Sequence, residues 1–287
     1  TQADMSNQWV ITPERTVDNA LYLLCDPHLP FNGMTASWSA HLKSLDGSLN
    51  YNGFYFIGSP HPVMGHNENF AWSHTANKPD FADAYIVNLD PNIEEHYLLD
   101  GISKPFTTWT ENFIFPNGNE QTVFMRQSSD HGVFVKYLNP TTALFAKLEV
   151  ENIISGFEQG YQMMTAQSVS EWENALSNHQ YDKWNCLGGD VQGNILYIYN
   201  GIAHIRNDPV SAREGALDGS TSSTLWQELI PFTSLPRVET PESGYIQNCN
   251  DAPWHVTSNP GFVENDVPIE IWMGDFFGPR GKRVTEL

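Results

Sequence analysis

The chain has 287 residues, of which 40% are hydrophobic and 13% aromatic, a composition typical of a folded globular protein and not of a disordered one. Its formal net charge of -20, from 34 acidic and 14 basic side chains, argues against nucleic acid and anionic membranes as partners, because both need basic patches. No apolar run approaches the ~20 residues of a membrane span, so we expect none. These features fit a periplasmic or secreted protein.

The first predicted strand, at residues 6–12, begins with Ser6-Asn7-Gln8-Trp9-Val10, in which tryptophan and a β-branched residue favour extended structure. Most serines at such a place only start a strand. A serine hydroxyl becomes an effective nucleophile when a base accepts its proton. If the chain begins at Ser6, its own α-amine, with a pKa near ~7.7–8.0, is such a base. Residues 1–5 are then a residual propeptide or added lead, and residues 6–287 form the core.

The chain after this stretch is predicted to be rich in strands. A second strand at 20–25 is expected to break at Asp26-Pro27-His28, and residues 35–45 could form a short strand or a helix. Alternation and turn residues predict further strands at 54–57, 70–75, 83–89, 97–99, 106–115, 121–126, 131–135, 143–150 and 244–249, with a hairpin at 187–199. Residues 207–223 are predicted to form a polar surface loop.

One helix is predicted at residues 169–178. Ser168 and Glu171 form a capping box at its start, and Trp172, Ala175 and Leu176 keep helical spacing. Cys25, Cys186 and Cys249 are odd in number and lack metal-type spacing. We therefore expect unpaired buried thiols, although one disulfide stays possible.

Six short motifs follow one another along the chain. They are Ser6-Asn7-x-Trp9, Asp26-Pro27-His28, Gly65-His66-Asn67 with Ala71-Trp72 and Thr75, Asp80-x-x-Asp83, Asn248-Cys249-Asn250-Asp251, and Arg283-Val284-Thr285-Glu286. Each is weak alone, but in this order they resemble the β chain of the penicillin acylase family of N-terminal-nucleophile hydrolases. Tyr245 to Asp251 and Gly278-Pro279-Arg280 are most similar to the acyl-homoserine-lactone and cyclic-lipopeptide acylase branch.

The resemblance implies a fold and a reaction. The fold is of the α+β class, an αββα sandwich of antiparallel sheets, of which this chain is the β-rich first half of a β chain. The reaction is removal of an acyl chain from an amide, such as an N-acyl-homoserine lactone, a penicillin or an acylated peptide, through an acyl-enzyme on Ser6. An α chain and the rest of the β chain, from the same precursor, are the implied partners. The alternative is an inactive, calcium-stabilised secreted module on the same scaffold.

The resemblance also assigns roles to single residues. Ser6 matches the nucleophile that a precursor frees by cutting itself, and His28 matches a residue that contacts the nucleophile's amine or a bridging water. Attack on an amide carbonyl creates an oxyanion, which needs donors fixed in advance. The side chain of Asn250 and the backbone N–H of Ala76 match those donors. The alternative for Asn250 is a turn asparagine that bonds to its own backbone.

An arginine is expected to support Asn250. Arg283 matches the arginine that precedes Val-Thr-Glu in penicillin acylases. Arg280 is the alternative, because the homoserine-lactone branch has an arginine after Gly-Pro. Either could also be a solvated charge near a chain end.

A structural calcium ion is the expected cofactor, and no organic cofactor is implied. Asp80 and Asp83, with the Ala82 carbonyl between them, match the family's calcium loop, and the His204 carbonyl matches another ligand. Hard oxygen ligands of this kind suit Ca²⁺. Two aspartates in a loop are also often only solvated.

Overall fold

The computed structural model describes residues 5–30, 32–149, 155–181, 183–207, 215–271 and 276–287. Most of the predicted lead and part of the predicted loop at 207–223 lie outside these residues. The chain forms two compact units. The first comprises residues 1–80, 151–203 and 230–287, and the second comprises residues 81–150 and 204–229.

The described residues contain the following strands: β1 (Met5–Ile11), β2 (Tyr22–His28), β3 (Ser37–Lys43), β4 (Asn50–Phe56), β5 (Met64–His66), β6 (Phe70–Thr75), β7 (Ala82–Leu89), β8 (His96–Leu99), β9 (Ile102–Pro105), β10 (Thr107–Ile114), β11 (Glu120–Ser128), β12 (Gly132–Asn139), β13 (Thr142–Leu148), β14 (Lys183–Asp190), β15 (Ile195–Gly201), β16 (Ala216–Asp218), β17 (Arg237–Glu239) and β18 (Tyr245–Asn248). The helices are α1 (Gly156–Thr165), α2 (Val169–Leu176) and α3 (Pro279–Glu286). Every strand predicted from the sequence overlaps an observed one.

Two antiparallel sheets stack in the first unit. One has the order β18-β1-β2, and the other has the order β17-β15-β14-β6-β5-β4-β3. The Ser73 hydroxyl of β6 donates to Oε1 of Gln8 on β1 over 2.7 Å, which joins the facing sheets. On the opposite face of β6, the ring of Phe70 lies 5.4 Å from that of Trp172 in α2. The seven-stranded sheet is therefore covered by the small sheet on one face and by helices on the other.

Helix α3 covers the outer face of the small sheet. Trp9 of β1 lines one cavity together with Val284 and Leu287 at the end of α3. Since side chains alternate along a strand, Trp9 and its neighbour Gln8 point to opposite faces. The layers of the first unit therefore run helix, sheet, sheet, helix.

The second unit is an eight-stranded sheet with the order β10-β11-β12-β13-β7-β8-β9, to which β16 adds in parallel beside β7. Its core consists of buried aromatic and aliphatic side chains, namely Tyr85, Val87, Tyr97, Leu99, Phe106, Ala143, Phe145 and Leu217. Of the helices that the structure describes, none is long and apolar enough to cross a membrane.

The predicted end of β2 is wrong. The strand continues through Asp26 and Pro27 to His28. Proline lacks an N–H donor, but β2 is the edge strand of its sheet, so Pro27 can pair with Ser6 without breaking the ladder on both sides.

The predicted helix α2 is confirmed, with its cap: Oγ of Ser168 accepts from the N–H of Glu171 over 3.3 Å. Helix α1 was not predicted, because glycines lower its helix propensity. Packing stabilises it instead, since Met163 and Met164 are buried, and a side chain on Gly160 would meet the ring of His61 at 2.7 Å. All three cysteines are free, and burial raises the pKa of Cys25 to about 12.

Candidate active site

Ser6 lies near the start of β1, the central strand of the small sheet. The alternating burial of β1 places Ser6, Gln8 and Val10 on the inner face, and only 5% of Ser6 is exposed. The Ser6 hydroxyl donates to the carbonyl oxygen of Met5 over 2.7 Å. The candidate nucleophile is therefore held by a paired strand and sits next to the peptide bond that precedes it.

Asn250 lies directly against Ser6, although 244 positions separate them in the chain. The backbone N–H of Ser6 donates to Oδ1 of Asn250 over 2.7 Å. Asn250 follows β18 with φ +68°, a left-handed conformation that asparagine adopts more readily than most residues. Its own N–H donates to Oδ1 of Asn248 over 2.8 Å. The turn after β18 thus aims the predicted oxyanion donor at the predicted nucleophile.

Ala76, the residue after β6, meets the same side chain. Its carbonyl accepts from Nδ2 of Asn250 over 2.8 Å and from Nδ2 of Asn185 over 3.1 Å. These bonds fix the amide plane of Asn250, with Oδ1 toward Ser6 and Nδ2 toward Ala76. Among the described residues, the second Nδ2 hydrogen of Asn250 has no partner.

A layer of buried polar side chains supports this corner between the two sheets. Thr75 Oγ1 and Asn185 Nδ2 both donate to Oδ1 of Asn248, over 2.7 and 3.0 Å. Gln8 Nε2 donates to the Asn185 carbonyl over 3.0 Å, and the Tyr197 hydroxyl donates to Asn185 Oδ1 over 2.6 Å. Buried polar networks that are satisfied in this way rigidify their surroundings. The motifs in the sequence do not include roles for Gln8 or Asn185. The only sign of such a role in the sequence is a polar residue at an inward-facing position of a strand.

Arg280, in the first turn of α3, ties the two strand ends together. Its Nη1 donates to the Ser6 carbonyl and to Oδ1 of Asn7, each over 2.5 Å. Its Nη2 donates to the Cys249 carbonyl over 2.7 Å and to Oδ1 of Asn250 over 2.9 Å. The planar guanidinium thereby sets the position of Asn250 relative to Ser6.

The contact with Asn250 that was expected of Arg283 is made by Arg280. Arg283 lies one helical turn later, where its Nη1 donates to Oε2 of Glu286 over 3.1 Å and its side chain is 66% exposed. The docking of α3 turns only one of the two guanidinium groups toward β1.

Asp251 anchors this docking. Its fully buried carboxylate accepts from the N–H of Gly278 over 2.8 Å, just before α3, and from the N–H of Cys249 over 3.3 Å. Gly281 is the closest approach of the helix, because a Cβ there would lie 2.0 Å from Oδ2 of Asp251. Asp251 therefore positions both the turn of Asn250 and the helix of Arg280.

Replacing Gly281 with alanine is expected to lower the free energy of unfolding by about 1–3 kcal/mol, because the new methyl group overpacks a fully buried contact. Thermal unfolding measures the loss. Gly215→Ala is the matched control, since a Cβ there meets nothing within 4 Å. Equal stability of the two variants would contradict the close helix approach.

His28 makes no direct hydrogen bond to Ser6 among the described residues, whereas the alternative contact through a bridging water stays a prediction. Its Nε2 lies 2.9 Å from Oδ2 of Asp26 and 3.2 Å from Nδ2 of Asn7, and among the described residues it has no hydrogen bond to Ser6. The register explains this: His28 is opposite Met5, so its side chain shares the outer face with Asn7 and not the inner face with Ser6. Hydrogen bonds from His28 and then from Asn7 lower the pKa of Asp26.

The predicted calcium ligands are placed as follows. Asp80 is the last residue of the first of the three segments that make up the first unit. It is buried, and its N–H donates to the Glu270 carbonyl over 2.8 Å. In the second unit, Ala82 begins β7, and the carboxylate of Asp83 and the carbonyl of His204 both accept hydrogen bonds from Arg206. Over the described ranges, no group of three or more His, Cys, Asp or Glu side chains could hold a metal ion. Two of the predicted ligand oxygens thus already accept hydrogen bonds from one arginine, and calcium binding stays a prediction.

The fold matches that of a solved structure. Thermostable penicillin G acylase from Alcaligenes faecalis superposes with a TM-score of 0.74 at 20% sequence identity, over 86% of this chain and 44% of that chain. The predicted fold, an N-terminal-nucleophile hydrolase sandwich of antiparallel sheets, is thereby confirmed.

The chain belongs to the penicillin amidase family, whose model matches residues 2–287. It is 27% identical to the acyl-homoserine lactone acylase PvdQ of Pseudomonas fluorescens, over 93% of this chain and 38% of the relative. It is also 27% identical to penicillin G acylase of Escherichia coli, over 98% of this chain and 32% of the relative. The chain thus spans about a third of the length of these curated relatives. The family resemblance identified from the motifs is confirmed.

Proposed function

We propose that this chain carries the nucleophile of an amidohydrolase that removes an acyl chain from an amide. The observation that carries the proposal is the contact of 2.7 Å between the Ser6 nitrogen and the side chain of Asn250, which places a serine beside an amide suited to oxyanion binding. Membership of the penicillin amidase family supports the same reaction class.

The proposed mechanism begins with cleavage before Ser6. Water hydrolyses the Met5–Ser6 peptide bond, which leaves a carboxylate on Met5 and turns the nitrogen of Ser6 into a primary α-amine. Asn250 Oδ1 accepts one hydrogen of this amine, as it accepts the amide hydrogen now. The amine lone pair takes the proton of the Ser6 hydroxyl as Oγ attacks the substrate carbonyl. Nucleophile and base belong to one residue, so their separation is fixed before substrate binds.

The oxyanion of the tetrahedral intermediate is proposed to bind the second Nδ2 hydrogen of Asn250 and the N–H of Ala76. Two donors fixed beforehand stabilise developing charge without reorganisation. Collapse of the intermediate expels the amine product, which takes a proton from the Ser6 ammonium, and leaves an ester on Oγ. Water, deprotonated by the same α-amine, hydrolyses that ester.

The substrate class is also a proposal. Relatives named for penicillin G and for acyl-homoserine lactones share one chemistry, an acyl group on a secondary amide, and we propose that class here. Because the relatives are much longer, we further propose that other segments of the same precursor complete the acyl site. A periplasmic or secreted location is proposed, in keeping with the net charge of -20.

Replacing Ser6 with alanine in the complete precursor is expected to abolish acid release from N-acyl-homoserine lactones and from penicillin G, and also the cleavage before residue 6. Liquid chromatography of the released acid and N-terminal sequencing measure the two effects. Ser37→Ala is the matched control, because Ser37 also begins a strand but is exposed. Unchanged acid release by Ser6→Ala would overturn the proposal.

A further inference from the structure

A buried guanidinium occupies the centre of a charged cluster in the second unit. We call Asp83, His204, Arg206 and Trp226 the Asp83 cluster. Arg206 Nε donates to Oδ2 of Asp83 over 2.7 Å, and Trp226 Nε1 donates to the same oxygen over 2.5 Å. The Arg206 side chain is 0% exposed, and that of Asp83 is 2% exposed. The negative charge of Asp83 is therefore paired with a positive charge, and its carboxylate is hydrogen-bonded inside the protein.

The same guanidinium also forms a hydrogen bond with a second predicted calcium ligand, the carbonyl of His204. Arg206 Nη1 donates to the carbonyl oxygen of His204 over 3.0 Å. A calcium ion at this place would need the Asp83 carboxylate and the His204 carbonyl as oxygen ligands. Both oxygens instead accept hydrogen bonds from one arginine. A metal ion bound to them would lie beside the fixed positive charge of that arginine.

Further charged and aromatic side chains surround Arg206. The ammonium of Lys147 lies 5.0 Å from the ring centre of Trp226, and the guanidinium carbon of Arg206 lies 5.2 Å from it. The ring of His204 stacks on Trp226 at 4.8 Å, and the carboxylate of Glu149 lies 3.4 Å from His204 Nδ1. Burial lowers the pKa of His204, with Lys147 and Arg206 also lowering it and Glu149 opposing them.

Two positively charged side chains already lie in and beside this cluster. Arg206 is bonded to Asp83, and Lys147 lies against Trp226. Both would repel a divalent ion added here, in a buried site where electrostatic repulsion is weakly screened.

We infer that Arg206 is a built-in replacement for a structural metal ion: its guanidinium joins β7 to the segment at 204–206, and the second unit needs no calcium. The inference concerns this unit's stability and does not depend on the reaction proposed for Ser6. A buried carboxylate that loses its paired charge becomes strongly destabilising, whereas removing both charges costs less.

The first test uses the unchanged protein. Its melting temperature is expected to differ by less than about 1 °C between excess EGTA and millimolar CaCl₂, and calorimetric titration with CaCl₂ is expected to give no binding heat. A melting temperature that falls with EGTA and recovers with CaCl₂ would overturn the inference. This arm requires no variant, so a folding failure cannot obscure it.

The second test uses a double-mutant cycle. Arg206→Gln is expected to lower the melting temperature by roughly 5 °C or more, and Asp83→Asn combined with Arg206→Gln to recover most of that loss. Arg206→Lys keeps the positive charge but not the planar set of N–H donors. Its melting temperature is expected to lie between those of Arg206→Gln and the double variant, and it provides a folded variant. Arg126→Gln, which breaks the partly exposed pair with Glu95, is the matched control with a smaller loss. No loss in Arg206→Gln, or no recovery in the double variant, would overturn the role of Arg206.

Discussion

Replacing Asn250 with glycine in the matured enzyme is expected to lower kcat by about 10²- to 10³-fold and to leave KM nearly unchanged. The side chain contacts the Ser6 nitrogen, the Ala76 carbonyl and Arg280, so it is oriented before substrate arrives. Its donor is needed only when the carbonyl oxygen gains charge, which is why the loss is expected in kcat and not in KM.

Arg280 strengthens this donor. Its Nη2 donates to Oδ1 of Asn250 over 2.9 Å, which polarises the amide and makes its N–H groups better donors. The same contact keeps the amide from rotating. The effect of losing Asn250 is therefore expected to exceed that of losing an ordinary neutral hydrogen bond.

Glycine separates this chemical effect from backbone strain. Asn250 has φ +68°, a conformation that glycine adopts without cost but alanine does not. Asn19→Gly is the matched control, because Asn19 is an exposed asparagine with φ +53°. Steady-state kinetics on an acyl-homoserine lactone compare the two variants. A kcat for Asn250→Gly within tenfold of the unchanged enzyme would contradict an oxyanion role.

Local patterns in the sequence predicted the strands well, but they did not determine which faces are buried. Residues 70–75 alternate between apolar and polar and were interpreted as a half-buried strand. In the structure Phe70 and Trp72 face the helices, while Ser73 and Thr75 face the small sheet, so both sides of β6 are covered. The polar face can be buried because Gln8 and Asn248 accept its hydrogen bonds. No pattern within the strand itself reveals these two partners.

The pairing of Ser6 with Asn250 was reached through the order of the motifs, because strand pairing across 244 positions leaves no local signal. The errors have the same origin. The inner or outer place of His28 depends on the register between β1 and β2. The choice between Arg280 and Arg283 depends on how Asp251 docks α3. No local pattern in the sequence links Arg206 to Asp83, since 123 positions separate them.

A second large effect is expected from acid, and His74 is one source of it. Burial, with a smaller contribution from His61, lowers the pKa of His74 to about 3. The ring stacks on Trp184 with centroids 5.6 Å apart and meets the edge of Tyr181 at 6.0 Å. Among the described residues its buried Nε2 has no hydrogen-bond partner. A protonated ring would therefore be an unpaired charge in an aromatic cluster.

The sign of the effect follows from proton binding. In the unfolded chain a histidine has a pKa near ~6.5, whereas His74 in the folded chain stays neutral down to about pH 3. Between these values the unfolded state binds one more proton, so the free energy of unfolding falls as the pH falls. The slope from this residue is about 1.4 kcal/mol per pH unit, which amounts to about 2 kcal/mol between pH 8 and pH 5. Above the unfolded pKa the effect vanishes.

Replacing His74 with phenylalanine is expected to remove this slope, because the ring remains and the titrating nitrogens do not. Urea unfolding at pH 8, 6.5 and 5 measures the slope. Between pH 8 and pH 5, the free energy of unfolding of the variant is expected to fall by about 2 kcal/mol less than that of the unchanged protein. His41→Phe, at an exposed position, is the control that should keep the slope. An unchanged slope in His74→Phe would show that the acid sensitivity originates elsewhere. The location matters for function, since His74 lies two residues before Ala76, and a charge there would strain the strand that directly precedes the proposed oxyanion N–H.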